Sequence, residues 1–258
     1  YPNDANENGK ALRLKQQYLL ASASLQDVLG SWIGRQGHDF SNFAEKNCFQ
    51  LNDTHPSIAV AELMRLLVDV HGLEWKQAWA ITQKTMAYTN HTLLPEALEK
   101  WSVGLMQYLL PRLMEIIFEI NAHFLAQVSA RWPGDTQRLT RMSIIEEGHG
   151  QYVRMAYLAI VGSYSVNGVA ALHSNLLQQG LFSDFYALWP EKFNNKTNGV
   201  TPRRWLAACN PELASLITET IGPDWITDLS QLQKLAPYAD NKKFRERWYA
   251  LKQQAKQR

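Results

Sequence analysis

The sequence predicts a helix-rich α/β fold. Over most of the chain, apolar residues recur at three- and four-residue steps, which is the spacing of an amphipathic helix. Two short apolar segments break this pattern, and each is followed by polar or glycine residues and then by a helix start. Hydrophobic residues make up 46% of the 258 residues and charged residues 19%. This composition is typical of a chain that folds around a core.

Five segments carry the helical pattern. Over 10–32, the residues Tyr18, Leu25, Leu29 and Trp32 share one face. The other four predicted helices cover 57–71, 75–88, 111–128 and 242–258. Proline is tolerated in the first helical turn, and five prolines predict helix starts: Pro56, Pro95, Pro111, Pro202 and Pro211. Two glycines predict helix ends: Gly180 and Gly222.

Two segments predict short buried strands. The first covers 48–51 and runs into the polar residues 52–56; the second covers 153–161 and runs into a glycine and a serine, with a helix opening near 167–168. A strand, a loop and a helix form the repeating unit of an open α/β sheet, whose ligands bind beyond the carboxyl ends of the strands. The polar, glycine-containing run 194–199 predicts a boundary between two domains.

Composition narrows the class of protein. The formal net charge is +2, and no strip of lysine and arginine suggests a nucleic-acid surface. The apolar runs are too short to span a bilayer. The two cysteines, Cys48 and Cys209, are far apart, which favours a reduced, cytoplasmic protein. Because the chain starts without methionine and stops inside a helical pattern, we expect an internal piece of a longer polypeptide.

Three polar clusters stand before predicted helix starts, at 52–55, 90–92 and 194–198. Helix N-termini favour oxygen-rich ligands, and amide, imidazole and carboxylate groups can hydrogen-bond sugar hydroxyls. Spacing alone favours a simpler interpretation, in which Asn, Asp and Thr cap the helices. Taken alone, His91 is better explained as a structural histidine than as a catalytic one.

Two other features have plain structural explanations. The tryptophans Trp32, Trp79 and Trp248 fall on apolar helical faces, so we expect them in the core rather than stacked on sugars. The adjacent carboxylates Glu146 and Glu147 would point in different directions, which argues for a solvated surface and against a glycosidase pair.

Longer runs around the three clusters resemble the α-glucan phosphorylases of the bacterial type, the family of glycogen and maltodextrin phosphorylases. The resemblance extends almost from end to end and in the right order, so the chain is similar to an internal fragment of such an enzyme. The runs that carry it are YPND at 1–4, LRLKQ at 12–16, LNDTHP at 51–56, YTNHTLLPEALE at 88–99, VNGVA at 166–170 and KFNNKTNGVTPRRW at 192–205.

The resemblance implies a two-lobed glycosyltransferase fold (GT-B) with Rossmann-like lobes on either side of a cleft. Residues 1–197 would form the later part of the N-terminal lobe, which contributes the sugar-binding wall. Residues 198–258 would form the incomplete start of the C-terminal lobe.

The resemblance also implies roles for particular residues in the cleft. His91 and Asn198 match family residues that hydrogen-bond the 6-hydroxyl of the glucosyl unit, and Val169 matches a residue that lines the same subsite. Asp53 and His55 match polar groups near the anomeric side of the sugar, so both are grouped with His91 as catalytic candidates.

Two further regions match family features at the edges of the cleft. Asn3 and Asp4 match a gate over the cleft, where Ala5 replaces a family asparagine unless Asn6 substitutes for it. Trp205 matches an aromatic residue packed near the cofactor.

The implied activity is reversible phosphorolysis of terminal α-1,4-linked glucose, which yields glucose 1-phosphate with retention. The implied partners are an α-1,4-glucan, inorganic phosphate and a second subunit in a homodimer. The implied cofactor is pyridoxal phosphate, whose Schiff-base lysine would lie beyond Arg258. We therefore expect this chain alone neither to retain the cofactor nor to turn over. Phe118 stands where some members carry a storage-site tyrosine, so storage binding of glucan is not expected.

Two alternatives remain open at this stage. A non-catalytic carbohydrate-binding or scaffold homologue would keep the fold without the chemistry. A nucleotide-sugar transferase of the same fold would need no pyridoxal phosphate.

Overall fold

A computed structural model describes residues 5–257, so Asn3 and Asp4 lie outside the described residues. The chain forms two compact units. The first ends at Thr197 and the second begins at Asn198, within the polar run 194–199.

Ten α-helices are described in the first unit. They are α1 (Glu7–Gln36), α2 (Phe43–Lys46), α3 (Ala59–Arg65), α4 (Trp75–Thr85), α5 (Val103–Leu109), α6 (Pro111–Arg131), α7 (Thr136–Met142), α8 (Met155–Gly162), α9 (Ala171–Leu176) and α10 (Ser183–Leu188). π-Helical turns at Leu66–Val70 and Leu177–Leu181 extend α3 and α9, and short 3₁₀ turns cover Pro95–Ala97 and Pro190–Lys192.

The regular elements described in the second unit are all helical. A π-helical segment covers Arg203–Ala208 and is followed by α11 (Pro211–Ile221), by 3₁₀ segments at Asp224–Ile226 and Leu229–Asp240, and by α12 (Lys242–Gln257).

Seven strands are described, and they form two sheets. They are β1 (Phe49–Asn52), β2 (Met86–Thr89), β3 (Lys100–Ser102), β4 (Ile145–Glu146), β5 (Tyr152–Arg154), β6 (Ser165–Gly168) and β7 (Phe193–Asn195). The main sheet has the order β1-β2-β6-β7, and all its pairs are parallel. The small sheet has the order β3-β5-β4 and is antiparallel. The predicted helix-rich α/β class with a parallel sheet is therefore confirmed.

The register of the main sheet separates an apolar row from a polar row. Leu51, Tyr88 and Val166 are paired across three strands, and all three are buried. The next residue of each strand is polar, so the following row pairs Asn52 with Thr89 and Thr89 with Asn167. Successive residues of a strand point to opposite faces, so this second row faces away from the apolar one.

The predicted strand over 153–161 is wrong. Only Tyr152–Arg154 is extended, and the apolar run continues as the helix α8, whose residues from Leu158 to Gly162 are all buried. A short run of apolar residues has no periodicity that separates a buried helix from a buried strand. The strand of this region is β6, a few residues later. The other predicted strand, 48–51, is shifted by one residue from β1.

The helix predictions differ from the structure mainly at the ends. The helix predicted over 75–88 stops at Thr85, because β2 follows at once. Three of the prolines begin a helical segment as predicted, whereas Pro202 precedes one and Pro56 lies before the cap residue of α3. Gly222 ends α11 with a φ of 86°, whereas Gly180 lies inside a π-helical turn.

The three tryptophans assigned to the core divide by exposure. Trp32 is buried, Trp79 is partly buried, and Trp248 is 43% exposed, which contradicts its assignment to the core. The solvated surface predicted for the adjacent carboxylates is confirmed, because Glu146 pairs with Lys100 at the surface and Glu147 is exposed.

One carboxylate is fully buried in the core of the first unit. Glu62 on α3 receives two hydrogen bonds of 2.8 Å from the Arg65 guanidinium and one of 2.6 Å from the Ser22 hydroxyl. A buried charge persists when it is paired and hydrogen-bonded, so this cluster joins α1 to α3. Over residues 5–257, no helix is both long and apolar enough to cross a membrane.

Candidate functional site

The carboxyl ends of the four parallel strands gather polar residues at one edge of the main sheet. β1 leads to Asp53, β2 leads to His91 and β6 leads to Val169. Since the strands are parallel, their outgoing loops leave from the same edge, which is where open α/β sheets bind ligands. The structure thus brings three of the predicted site residues onto neighbouring loops.

Asn52 determines the tautomer of His91. The Nε2 atom of His91 lies 2.6 Å from Oδ1 of Asn52. An amide oxygen only accepts hydrogen bonds, so Nε2 donates to it, and in the neutral form of the ring Nδ1 is then an acceptor. His91 itself is exposed. The ring is therefore not a buried structural histidine, and its neutral form offers an acceptor nitrogen to a ligand hydroxyl.

A chain of side-chain hydrogen bonds runs across the sheet just before this edge. Gln50 donates from Nε2 to the Thr89 hydroxyl at 2.8 Å, and that hydroxyl donates to Oδ1 of Asn167 at 2.8 Å. Asn167 is buried, and its Nδ2 donates to the Gly168 carbonyl at 2.9 Å. Buried polar groups that are satisfied in this way keep neighbouring strands in register.

The turn after β1 has an unusual backbone. Asp53 has a φ of 66°, and within residues 5–257 it is the one non-glycine residue with positive φ. Its carboxylate accepts a hydrogen bond from the Thr54 backbone N–H at 2.6 Å, and its own N–H donates to the Thr89 carbonyl at 3.0 Å. Aspartate tolerates this left-handed conformation because its side chain bonds locally. Both Asp53 and His55 are partly buried at this turn.

The turn after β6 is hydrogen-bonded to a side chain of α9. The Val169 backbone N–H donates to Nδ1 of His173 at 3.2 Å. The Ser174 hydroxyl donates to Oδ1 of Asn195 at 2.8 Å, which joins α9 to the end of β7. Burial, and secondarily the nearby His91, lower the pKa of His173. The His173 imidazole is therefore kept neutral under the candidate site.

The capping interpretation of the three polar clusters is wrong. The cap position of α3, which follows the first cluster, is Ile58. The helical segments that follow the second and third clusters have Leu94 and Pro202 at their cap positions, and none of these three residues provides a side-chain cap. The clusters instead begin at strand ends, and Asn90 uses its side-chain oxygen for a local turn at Thr92. Helix capping therefore does not account for them.

Two predicted site residues belong to the second unit. Asn198 is its first residue and is exposed. Trp205 lies in the π-helical segment and is 62% exposed. The first unit therefore holds Asp53, His55 and His91, together with Val169.

Several residues that shape the sheet edge were not named as site residues from the sequence. Hydrogen bonds at this edge are made by Asn52, which lies in the polar cluster 52–55, and by Thr89, Asn167 and His173. A polar residue at the last or next-to-last position of a short strand is the signal that could have identified Asn52, Thr89 and Asn167. In the described residues, no group of three or more His, Cys, Asp or Glu side chains could hold a metal ion.

Phe118 lies on α6 and is 38% exposed. It presents an apolar ring to solvent at a position where the family resemblance would allow a tyrosine. The absence of a hydroxyl there agrees with the expectation of weak storage binding, which stays a prediction.

The fold is that of a helix-rich α/β protein with a cluster of polar residues at the carboxyl edge of a parallel sheet. The chain belongs to the carbohydrate phosphorylase family, because the profile of that family matches residues 1–258. The predicted membership is confirmed.

Relatives with high identity carry the name glycogen phosphorylase. The chain is 56% identical over 257 residues to the glycogen phosphorylase of Synechocystis sp., a match that covers 100% of this chain and 30% of the relative. It is 55% identical over 251 residues to the muscle form from Mus musculus, covering 95% and 30%. It is 51% identical over 257 residues to glycogen phosphorylase 2 from Dictyostelium discoideum, covering 99% and 26%. The chain therefore spans about 30% of the length of the first two relatives.

Proposed function

We propose that this chain forms the sugar-binding wall of a glucan phosphorylase, an enzyme that reversibly phosphorolyses terminal α-1,4-linked glucose to glucose 1-phosphate. The observation that carries the proposal is the meeting of Asp53, His91 and Val169 at the carboxyl edge of the sheet. These are the residues that the family resemblance assigns to the glucosyl site.

His91 has a geometry suited to holding a sugar hydroxyl. With Nε2 hydrogen-bonded to Asn52, the Nδ1 of the neutral ring can accept a hydrogen bond from the 6-hydroxyl of a glucosyl unit. The family resemblance makes Asn198 a further candidate for binding the sugar. Such contacts raise the rate by holding the reacting carbon near its attack geometry.

The other residues of the wall would act on the ring and the anomeric centre. Val169 offers an apolar surface that excludes water from the subsite. The carboxylate of Asp53, with His55 beside it in the chain, would stabilise positive charge developing at the anomeric carbon. Asn3 and Asp4 would close over the cleft as a gate.

The two compact units would correspond to the two lobes of a GT-B fold. In this proposal residues 1–197 belong to the N-terminal lobe and residues 198–258 begin the C-terminal lobe. The division of the chain at Asn198 supports this assignment.

The residues present fit only a packing contact with pyridoxal phosphate. The exposed indole of Trp205 offers a flat apolar face of the kind that packs against such a group. Lys192 is not suited to a Schiff base, because its ammonium donates to the Ile160 carbonyl at 3.3 Å and lies 3.9 Å from the centre of the Trp189 ring. When bound in the whole enzyme, the cofactor supplies a phosphate group that assists proton transfer. This chain alone is not expected to retain it.

The proposed partners of the whole enzyme are an α-1,4-glucan, inorganic phosphate and glucose 1-phosphate. We also propose that the whole enzyme is a cytoplasmic homodimer.

The proposal is tested by measuring glucose 1-phosphate released from a maltodextrin and phosphate, with pyridoxal phosphate supplied. The assay compares this chain with the whole parent enzyme, and the parent with its His91→Ala variant. The matched control is His149→Ala, since His149 is an exposed histidine outside the site. The proposal is supported if the parent is active, loses activity in His91→Ala and keeps it in His149→Ala.

Two outcomes would contradict it. A parent that binds maltodextrin without turnover would instead be a carbohydrate-binding or scaffold protein. A parent whose activity is equal in both variants would remove His91 from the site.

A further inference from the structure

His173 lies below the candidate site and makes an unusual hydrogen bond. It is in the first turn of α9, and its Nδ1 accepts the backbone N–H of Val169 at 3.2 Å. Its Nε2 is buried and has no hydrogen-bond partner among the described residues. Since Nδ1 accepts, the proton must be on Nε2 and the ring must be neutral.

The imidazole packs directly against the backbone at the end of β6. A Cβ atom added to Gly168 would lie 2.7 Å from Nδ1 of His173 and 2.5 Å from Oγ of Ser174. Both distances are shorter than any ordinary van der Waals contact, so the turn has this conformation only because residue 168 is glycine. The ring and the glycine together leave the Val169 backbone little room to move.

Protonation of the ring would remove this support. An imidazolium carries N–H groups at both nitrogens, so Nδ1 would then face the Val169 N–H as a second donor. Burial of the ring and the neighbouring His91 both lower the pKa of His173 and so oppose this charged form. The surroundings of His173 thus favour the state that can accept the hydrogen bond.

We propose that His173 is a positioning residue, a neutral imidazole protonated on Nε2 that holds the β6–α9 turn and with it the Val169 wall of the glucosyl subsite. The effect on sugar binding rests on the proposed function. The effect on the turn rests on the structure of this chain alone. His173 itself does not touch the sugar in this proposal.

The tautomer is tested by NMR of this chain with ¹⁵N-labelled histidine. We expect His173 to show the signature of a neutral ring with its proton on Nε2 and an unprotonated Nδ1. The Val169 amide should exchange slowly with solvent, because its proton is hydrogen-bonded. A proton on Nδ1, or rapid exchange of the Val169 amide, would overturn the assignment.

Two variants separate positioning from simple packing. In His173→Asn, the side-chain oxygen can take the place of Nδ1 as acceptor, whereas His173→Leu keeps the bulk and removes the acceptor. We expect the Val169 amide to stay protected in His173→Asn and to lose protection in His173→Leu. Equal protection in both variants would show that the ring only fills space.

Binding of maltoheptaose to the whole parent enzyme provides the functional readout. Loss of one hydrogen bond that orders the wall is expected to weaken binding about tenfold in His173→Leu, with near-normal binding in His173→Asn. Unchanged binding in His173→Leu would overturn the link to the sugar subsite. If the unmodified parent binds no maltoheptaose, the proposed function fails, and the amide measurements still decide the role of His173 in the turn.

Discussion

Replacement of Gly168 by alanine should destabilise the first unit, because the end of β6 has no space for a methyl group. The added Cβ would lie 2.9 Å from Cα of Ser174, which is 0.5 Å closer than the 3.4 Å at which ordinary contacts begin. That atom belongs to the backbone of α9 and cannot rotate away. Relief therefore requires α9 to move relative to β6.

The size of the effect follows from three contributions. Overpacking of this kind costs about 1–3 kcal/mol. Displacing Ser174 also weakens its hydrogen bond to Asn195, a loss of about 0.5–1.5 kcal/mol. Alanine recovers about 0.5–1 kcal/mol, because it loses less backbone entropy than glycine on folding. The net expectation is a loss of about 0.5–4 kcal/mol in the free energy of unfolding.

Urea denaturation followed by far-UV circular dichroism measures this loss as a lower midpoint at a constant slope. The matched control is Gly30→Ala, in the middle of α1, where an added Cβ meets nothing within 4 Å. That variant should gain about 0.5–1 kcal/mol through helix propensity. If Gly168→Ala were as stable as the unmodified chain while Gly30→Ala behaved as expected, the close packing of α9 on β6 would be refuted.

Three other substitutions test separate features. Arg65→Met leaves the buried Glu62 carboxylate without its ion-pair partner and should lower the free energy of unfolding, measured by urea denaturation, by about 3–5 kcal/mol. Adding Glu62→Gln to this variant should restore most of the loss, because no buried charge is then left unpaired. Burial lowers the pKa of Lys192 to about 8 in the folded chain. Above that pH the folded chain loses the Lys192 proton, whereas the unfolded chain, in which the lysine is solvated, keeps it. The unmodified chain should therefore gain thermal stability over Lys192→Met as the pH rises from 8 to 10. Asn52→Leu removes the acceptor for His91 Nε2 and should weaken maltoheptaose binding by the parent several-fold. Because Asn52 is exposed, the free energy of unfolding should stay within about 0.5 kcal/mol of that of the unmodified protein.

Each of these expectations can fail in a specific way. A small loss in Arg65→Met would mean that water reaches the Glu62 carboxylate. A constant stability difference between pH 8 and 10 would mean that the Lys192 ammonium is solvated. Unchanged glucan binding in Asn52→Leu would mean that the His91 tautomer is set by other groups.

Local sequence patterns were enough for the longest helices, whereas α2, α5, α7 and α10 were not predicted and α8 was predicted as a strand. The stripe of Leu25, Leu29 and Trp32 identifies the buried face of α1, and Gly222 identifies the end of α11. These predictions succeed because a helix is formed by contacts between residues three and four positions apart. Membership in the phosphorylase family was also readable from the sequence, because the runs that carry it are continuous.

Short buried segments could not be assigned in the same way. β2 contains only Met86–Thr89, and its three buried residues continue the apolar pattern of α4. The fully apolar α8 fits a strand pattern as well as a helical one. In both places the local pattern is ambiguous, and packing against the rest of the sheet decides the conformation.

The candidate site depends most on tertiary structure. Its polar clusters were visible in the sequence, yet the contact between Asn52 and His91 joins residues 39 positions apart, and the one between Thr89 and Asn167 joins residues 78 apart. The sequence by itself determined where the polar residues cluster and to which family the chain belongs. Only the parallel order β1-β2-β6-β7 decided that they meet, because neighbours in a parallel sheet are joined through long crossovers whose length carries no information about register.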